Sequence, residues 1–353
     1  MKRIRVLTVD DSALMRNILS AVINQQPDME MVGTAPDPLI AREMIKQLNP
    51  DVLTLDIDMP KMYGLEFLSR LMRLRPMPVV MISSMTTRGS KATMAALEHG
   101  AVDFLAKPDQ RIAGNLELWG VQVAEKIRIA AKAKLGRQAE VASPILRGIT
   151  VDPQSIVAIG SSTGGTEALR QVLTPLPASV PGIVIAQHMP AGFTRSFAQR
   201  LDSLCQIKVH EADDGEPVLP GTALIAPGDK HMEIVRHGKG YAVRLTDAPP
   251  VNRHRPSVDV LFNSVAQLVG AHASAAILTG MGADGARGLL ALRESGAFTL
   301  AQSEASCVVF GMPREAIALG AAREIVDLNK ISQRLLESFS HKPRRSGENT
   351  HVG

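Results

Sequence analysis

A glycine-rich turn near the middle of the chain carries a serine in a pattern suited to nucleophilic chemistry. Residues 160–165 (GSSTGG) follow an apolar run at Ile156–Ile159 and precede a stretch with helical spacing. Gly160, Ser162 and Gly164 fit the G-x-S-x-G pattern in the strand–turn–helix context that it requires. N–H groups at the start of the next helix can stabilise an oxyanion. A phosphate cradle is the alternative, but the turn lacks the residues of a P-loop and of a dinucleotide fingerprint. The pattern therefore favours a serine nucleophile over nucleotide binding.

A hydroxyl nucleophile needs a general base, and the base needs a partner that orients it. His188 follows the apolar run Gly182–Ala186, and Asp284 comes shortly after Ala275–Leu278. The carboxyl ends of parallel strands share one edge of a sheet, so Ser162, His188 and Asp284 are predicted to converge there. Each also has an ordinary alternative, since a histidine at a strand end can be structural and Asp284 can cap the following helix. The competing bases are His210, His231, His237, His254 and His272. The Ser–His–Asp order differs from the Ser–Asp–His order of α/β hydrolases, which predicts a different fold with convergent chemistry.

A second group of polar residues lies at strand ends in the first third of the chain. Asp10 and Asp11 end one apolar run, and Asp56, Ser83 and Lys107 each end another. Carboxylates brought together repel one another, so three of them favour a hard cation with oxygen ligands, most simply Mg²⁺. Asp56 can act as a carboxylate nucleophile that forms an acyl phosphate, with Lys107 and Ser83 contacting the phosphoryl oxygens. Taken singly, each residue has a commoner use in helix capping or turns. Their joint placement at successive strand ends favours the phosphoryl site.

The elements that must position these residues alternate between strand and helix signals. Apolar runs occur at Ile4–Val9, Met29–Ala35, Val52–Leu55, Val79–Ile82 and Val102–Ala106, with helical spacing at Ala13–Asn24, Pro38–Leu48, Gly64–Leu74 and Lys91–His99. This alternation predicts a five-stranded parallel sheet covered on both faces. A further helix is expected from Leu116 to about Lys134.

A second series of strands and helices begins at Ser155. Its predicted strands are Ile156–Ile159, Gly182–Ala186, Thr222–Ile225, Tyr241–Leu245, Ala275–Leu278, Phe298–Ala301 and Ile325–Val326, and its predicted helices are Gly165–Leu173, Phe193–Leu204, Ser257–Val269 and Gly285–Ser295. The series predicts a doubly wound, mostly parallel α/β domain. The segment Asp213–Pro250 is rich in Gly and Pro and is predicted to form hairpins or loops. The expected domains are therefore 1–122 and 153–340, with a helix end and linker at 123–152 and a flexible tail at 341–353.

Composition excludes several classes of protein. A formal net charge of +4 over 353 residues is mild, and no basic recognition helix is apparent, so nucleic-acid binding is not expected. The two cysteines, Cys205 and Cys307, cannot build a disulfide framework. No apolar stretch approaches the length of about 18 residues that spans a membrane, and the N-terminal apolar run is too short for a signal peptide. A cytoplasmic protein without direct membrane insertion is expected.

The acidic pocket resembles that of a response-regulator receiver domain. The resemblance rests on residues 10–12 (DDS), 56–60 (DIDMP), Gly64, 83–84 (SS) and 107–108 (KP). It implies a flavodoxin-like sheet in the order 2-1-3-4-5 and phosphorylation of Asp56 by a histidine kinase. It also implies Mg²⁺ bound by Asp11, Asp56 and Asp58, with Asp10, Ser83 and Lys107 in support. Tyr63 stands where the family usually has Asp, which puts the local turn geometry rather than phosphorylation in doubt.

The second half is similar to the chemotaxis protein-glutamate methylesterases. The similarity is carried by residues 160–168, 187–190 (QHMP), 252–259 (NRHRPSVD), 279–285 (TGMGADG) and 305–313 (ASCVVFGMP). With the receiver it spans residues 1 to about 335. It implies that Ser162, His188 and Asp284 hydrolyse glutamate γ-methyl esters on chemoreceptors, without a metal. It further implies oxyanion N–H donors at Met281 and near Thr163, deamidation of specific glutamines, and an unphosphorylated receiver that limits access to the esterase.

Two other outputs remain possible at this point. The second domain could be a catalytically inactive docking module for receptors or kinase, which an intact Ser162, His188 and Asp284 set argues against. A DNA-binding output is common among receiver proteins, but no compact helix-turn-helix pattern follows the linker.

Overall fold

The first half of the chain forms the predicted receiver-like sheet. The computed structural model describes residues 2–59, 64–84, 86–108, 116–134, 146–147, 152 and 154–340. The strands are β1 (Ile4–Val9), β2 (Met29–Ala35), β3 (Val52–Asp56), β4 (Val79–Ser83) and β5 (Asp103–Ala106), and the helices are α1 (Ala13–Asn24), α2 (Pro38–Leu48), α3 (Gly64–Leu74), α4 (Thr87–Glu98) and α5 (Leu116–Lys132). All neighbouring strands pair in parallel in the order β2-β1-β3-β4-β5, as predicted. Strand β3 is therefore central and buried along its whole length.

Local sequence explains where these helices begin. The Ser12 side chain accepts a hydrogen bond from the backbone N–H of Met15, and Asp37 caps α2 in the same way through Leu39 and Ile40. Ser12 thus acts as the helix cap that its position before α1 indicates, while Asp10 and Asp11 remain at the sheet edge.

The second half forms a seven-stranded sheet with a separate hairpin. Its strands are β6 (Ile156–Ser161), β7 (Gly182–Gln187), β8 (Lys208–Glu211), β9 (Thr222–Ile225), β10 (His231–His237), β11 (Gly240–Thr246), β12 (Ala273–Ile277), β13 (Phe298–Gln302) and β14 (Glu324–Val326), and its helices are α6 (Gly165–Leu173), α7 (Thr194–Asp202), α8 (Val258–Leu268), α9 (Ala286–Glu294), α10 (Met312–Ala318) and α11 (Leu328–Ser340). The sheet order is β14-β13-β12-β6-β7-β9-β8, with every pair parallel. Strands β7 and β12 flank β6, so the residues that follow all three strands share one edge.

The structure adds elements that the sequence reasoning did not predict. Strand β8 is a four-residue edge strand with an exposed lysine and polar ends, so it carries almost no apolar signal. Strand β10 pairs with β11 as an antiparallel hairpin outside the main sheet, which confirms the hairpin predicted within Asp213–Pro250. Helices α10 and α11 are amphipathic segments that the sequence reasoning left unassigned.

The two halves pack against each other through apolar and ionic contacts. One hydrophobic cluster includes buried side chains from both sheets, and the rings of Phe104 and Phe193 meet across the boundary at 4.6 Å. Arg200 of α7 donates two hydrogen bonds to Glu98 of α4, at 2.6 and 3.1 Å. The boundary predicted at residue 122 falls inside α5, and much of the predicted linker and all of the tail lie outside the described residues, as does Tyr63. Among the described helices, none is long and apolar enough to cross a lipid bilayer.

Candidate active site and phosphoacceptor site

Ser162 lies in the sharp turn between β6 and α6, at the centre of the seven-stranded sheet. Its backbone N–H donates to the carbonyl of Thr279 at 3.0 Å, which fixes the turn against the end of β12. Gly164 has a φ of +76°, a conformation that favours glycine, and a Cβ there would meet the Val308 side chain at 2.7 Å. The glycine pattern that singled out Ser162 thus has a direct steric reason. The serine itself is 7% exposed.

His188 and Asp284 come together as predicted. His188 Nε2 lies 2.8 Å from Asp284 Oδ2, and both side chains are buried. With Nε2 directed at the carboxylate, Nδ1 is the nitrogen left to accept a proton. Nδ1 is buried and has no hydrogen-bond partner in the described part of the chain. Within the described residues no hydrogen bond joins Ser162 to His188. Such bonds are often long or absent in active sites that hold no substrate.

Asp284 receives more hydrogen bonds than a helix cap would need. Oδ1 accepts from Asn252 Nδ2 and Ser257 Oγ, both at 2.7 Å, and Oδ2 accepts from the Val258 N–H at 2.7 Å. Burial alone would raise the pKa of Asp284, but the hydrogen bond and charge of His188 and the bonds from Asn252 and Ser257 hold that pKa well below its ordinary range. Asp284 is therefore a carboxylate fixed in its charged form beside the imidazole.

His254, one of the competing bases, stacks on His188. The two rings lie 3.7 Å apart at an interplanar angle of 12°. Burial, with a smaller electrostatic contribution from neighbouring His188, lowers the pKa of His254 to about 3. His254 is thus a neutral ring that covers the His188 imidazole rather than a base. The segment 252–259 has no role predicted from its sequence, and in the structure its residues surround Asp284.

The N–H groups of Thr163 and Met281 are free of acceptors within the described residues. The Thr279 side chain connects the two loops that carry them. Its hydroxyl donates to the Thr163 carbonyl at 3.0 Å and accepts from the Val309 N–H at 2.9 Å. The carbonyl of Gly280 accepts from residues 311 and 312, which supports the second loop. Two unpaired N–H groups on braced loops near a serine are what an oxyanion requires.

The turn after Ser162 also touches the first domain. Thr163 Oγ1 donates a hydrogen bond to Asp103 of β5, and Lys126 Nζ of α5 lies 2.6 Å from the same carboxylate oxygen. Val308 packs against the core formed by α1, α5 and the first sheet, and its carbonyl accepts from the Lys134 N–H at 3.3 Å. The first domain thus contacts the loop that carries the Thr163 N–H, and also the neighbouring segment at Val308.

The strand ends of the first sheet bring the acidic residues together. Asp10, Asp11 and Asp56 each place a carboxylate oxygen within 4.8 Å of the others, a donor set that suits a hard divalent cation. Lys107 Nζ lies 3.1 Å from Asp10 Oδ2 and 2.7 Å from Asp56 Oδ2. Burial raises the pKa of Asp56, helped by the charge of Asp10, although Lys107 opposes the shift. Burial would lower the pKa of Lys107, but Asp56 and Asp10 raise it above its ordinary value.

Two predicted residues of this site make other contacts. Asp58 lies outside the cluster of three carboxylates, and its Oδ2 accepts from Ser84 Oγ at 3.1 Å. Ser83 is buried at the end of β4, where its hydroxyl approaches the carbonyls of Ser84 and Gly89 at 3.3 Å.

Comparisons with known proteins agree with both halves of this description. The family model of the CheB methylesterase matches residues 157–335, and that of the response regulator receiver domain matches residues 6–114. A protein-glutamate methylesterase/protein-glutamine glutaminase of Pectobacterium atrosepticum is 60% identical over 343 residues, 96% of this chain and 98% of the relative. The chain belongs to the CheB methylesterase family.

Other members of the CheB methylesterase family match equally broadly. The proteins of the same name from Escherichia coli O157:H7 and Salmonella typhimurium are 60% and 59% identical over 342 residues, again 96% of this chain and 98% of the relative. The crystal structure of the Thermotoga maritima CheB methylesterase catalytic domain matches with a TM-score of 0.51 and 41% identity, covering 52% of this chain and 98% of that one. The family and the α/β fold predicted from the sequence are therefore confirmed.

Proposed function

We propose that this CheB family chain hydrolyses glutamate γ-methyl esters, and deamidates specific glutamines, on the cytoplasmic helices of chemoreceptors. The observation that carries the proposal is the buried His188–Asp284 pair, which leaves His188 Nδ1 available at the sheet edge where Ser162 lies. The relatives named as methylesterase and glutaminase support the substrate class. Removal of methyl groups from receptors is the adaptation step of chemotaxis.

The residues divide the ester hydrolysis into two steps. Ser162 Oγ attacks the ester carbonyl while its proton passes to His188 Nδ1, and Asp284 stabilises the imidazolium that forms. The N–H groups of Thr163 and Met281 donate to the oxyanion. His188 returns the proton to the leaving methoxide, which departs as methanol and leaves an acyl-enzyme. Water then attacks with His188 as base, releasing the glutamate carboxylate and restoring Ser162. A glutamine reacts in the same way and releases ammonia.

The first domain acts as the phosphoacceptor. Asp56 is the nucleophile that takes the phosphoryl group from the chemotaxis histidine kinase, since it is central, buried and held by Lys107. Asp10, Asp11 and Asp56 would hold the Mg²⁺, with Asp58 two residues after Asp56 in the loop that follows β3. When bound, this ion offsets the carboxylate charges and the charge of the phosphoryl oxygens. Lys107 supplies a fixed positive charge, and Ser83 a hydroxyl, for the phosphoryl group.

Phosphorylation regulates the esterase by changing the contacts between the domains. The closed arrangement is supported by Asp103 on Thr163, by Glu98 on Arg200 and by the apolar contact of Phe104 with Phe193. Asp103 and Phe104 belong to β5, which is followed directly by Lys107, the residue paired with Asp56. A phosphoryl group at Asp56 disturbs that pairing and shifts the population towards an open arrangement, by no more than its differential stabilisation of the two states.

The decisive experiment measures methanol release from methylated receptor membranes. Wild type, Ser162→Ala and the exposed-serine control Ser203→Ala are compared, each with and without acetyl phosphate and Mg²⁺. Release that requires Ser162, survives in the control and rises with the phosphodonor supports the proposal. Undiminished release by Ser162→Ala rejects the serine mechanism. No release from wild type under either condition supports the docking-module alternative instead.

A further inference from the structure

Asn252 bridges the catalytic carboxylate to a second buried carboxylate. Its Nδ2 donates to Asp284 Oδ1 at 2.7 Å and to Asp259 Oδ2 at 2.8 Å. Asp284 is 2% exposed and Asp259 is 6% exposed. Two carboxylates that share a buried site repel each other, and a common amide donor offsets part of that repulsion. Neither the triad nor the oxyanion donors explain this arrangement.

The backbone around Asn252 is fixed by its conformation and by hydrogen bonds. Its φ is +52°, in the left-handed region that asparagine tolerates better than most residues. Val251 and His254, which flank the turn, exchange two backbone hydrogen bonds that close it. Arg255 beyond it donates to the Asp229 carboxylate at 2.6 and 2.9 Å.

A buried histidine secures the other end of the segment. His231 Nε2 lies 3.1 Å from the Pro249 carbonyl, and its Nδ1 accepts from the Ser257 N–H at 3.2 Å. Ser257 in turn donates its hydroxyl to Asp284. The segment that presents Asn252 is therefore anchored before, within and after the turn.

We propose that Asn252 is a positioning residue of the hydrolase: its amide holds the Asp284 carboxylate against His188 by bridging it to Asp259. The inference rests on the proposed serine mechanism. Asn252 reaches neither the imidazole nor the unpaired N–H groups, so it acts only through Asp284.

The charge distribution agrees with this role. The titratable groups that face Asp284 are His188, His254 and Asp259. Burial raises the pKa of Asp259, and the charge of Asp284 adds to that rise although the Gly288 N–H opposes it. The pKa of Asp284 moves the other way. Without the shared donor, the repulsion between the two carboxylates is no longer offset, and the Asp284 carboxylate turns away from His188.

The test is a mutant cycle on full-length protein with methylated receptor membranes. Asn252→Ala is expected to lower kcat roughly 10- to 100-fold with little change in KM, as for loss of a hydrogen bond to a charged group. Asp259→Asn keeps an acceptor for the Gly288 N–H but removes the competing charge. The double variant Asn252→Ala/Asp259→Asn is expected to have a kcat roughly 3- to 10-fold higher than that of Asn252→Ala alone. Thermal unfolding of each variant checks that the fold is intact.

The outcomes separate positioning from a structural role. A kcat for Asn252→Ala within twofold of wild type, or a loss that Asp259→Asn does not relieve, would overturn the proposal. A spectroscopic readout is independent of the serine: in Ser162→Ala protein, the proton NMR signal of His188 Nε2–H bonded to Asp284 should shift upfield or vanish when Asn252→Ala is added. An unchanged signal also refutes the role. Failure of the serine mechanism itself is seen separately, as full activity of Ser162→Ala.

Discussion

Replacing Asp103 with alanine should activate the esterase without phosphorylation. Asp103 lies on β5 of the receiver and accepts a hydrogen bond from Thr163, the residue after the proposed nucleophile Ser162. Its other strong partner, Lys126, belongs to the receiver, so the bond from Thr163 is the one that crosses the domain boundary. Removing the carboxylate therefore weakens the proposed closed arrangement, while the lost pair with Lys126 lies within the receiver.

The size of the effect follows from the kind of bond that is lost. The Asp103 side chain is 8% exposed, and hydrogen bonds to charged groups contribute about 1.5–3 kcal/mol. Since about 1.4 kcal/mol corresponds to a tenfold change in an equilibrium, the open-to-closed ratio should rise roughly 10- to 150-fold. Asp103→Asn keeps an acceptor oxygen, and a neutral bond is weaker by about half, so it should activate less.

The assay is methanol release by full-length protein without a phosphodonor. The rate of the wild type at saturating acetyl phosphate sets the upper limit, because opening cannot raise the rate further. Asp103→Ala should approach this limit and then respond little to the phosphodonor. If Asp103→Ala is folded and its unstimulated rate equals that of wild type, the crossing bond does not restrain the esterase. A lower rate at saturating phosphodonor would show that Asp103 instead supports the Thr163 loop.

Three further changes test the remaining groups. Asp284→Asn should lower kcat by about three to four orders of magnitude, because the amide no longer stabilises the imidazolium, and single-turnover methanol release measures this loss. Asp56→Asn, or chelation of Mg²⁺ by EDTA, should abolish labelled phosphate incorporation from acetyl phosphate and with it the stimulation of the esterase. The pKa of His254 falls from 6.5 to about 3 on folding, so below pH 6.5 the unfolded chain binds more protons than the folded chain. The free energy of unfolding therefore decreases as the pH is lowered. His254→Gln should remove about 2 kcal/mol of the stability loss between pH 6.5 and pH 5 in urea titrations, and an equal slope in both proteins would contradict the buried neutral ring.

The placement of several predicted site residues at a sheet edge could be predicted from the sequence. Strand ends in α/β sheets collect functional residues, so Asp56, Lys107, Ser162 and His188 could be placed on an edge before any coordinates were known. The glycine-rich turn was equally readable, because Gly164 adopts a conformation that other residues avoid.

Other features depend on contacts that no local pattern encodes. Asn252, Ser257 and His254 surround the triad from a loop whose sequence has no strand or helix period. Asn252 and Ser257 bond to Asp284, about 30 residues away, and His254 stacks on His188. The packing of α8 beside α9 brings the first two residues to Asp284. Asp103 is similar, because an acidic residue at the start of a strand gives no sign that it meets a threonine 60 residues later.

The shared apolar core between the domains has a consequence for temperature. Phe104 and Phe193 are buried against each other, and any separation of the halves exposes them to water. Hydration of apolar surface raises the heat capacity, so opening carries a positive heat-capacity change, and the entropic attraction that favours closure weakens on cooling. At low temperature the equilibrium between closed and open arrangements of the two domains should therefore shift towards the open one. Inhibition of the esterase by the receiver would then weaken at the temperatures at which the hydrolysis itself is slower.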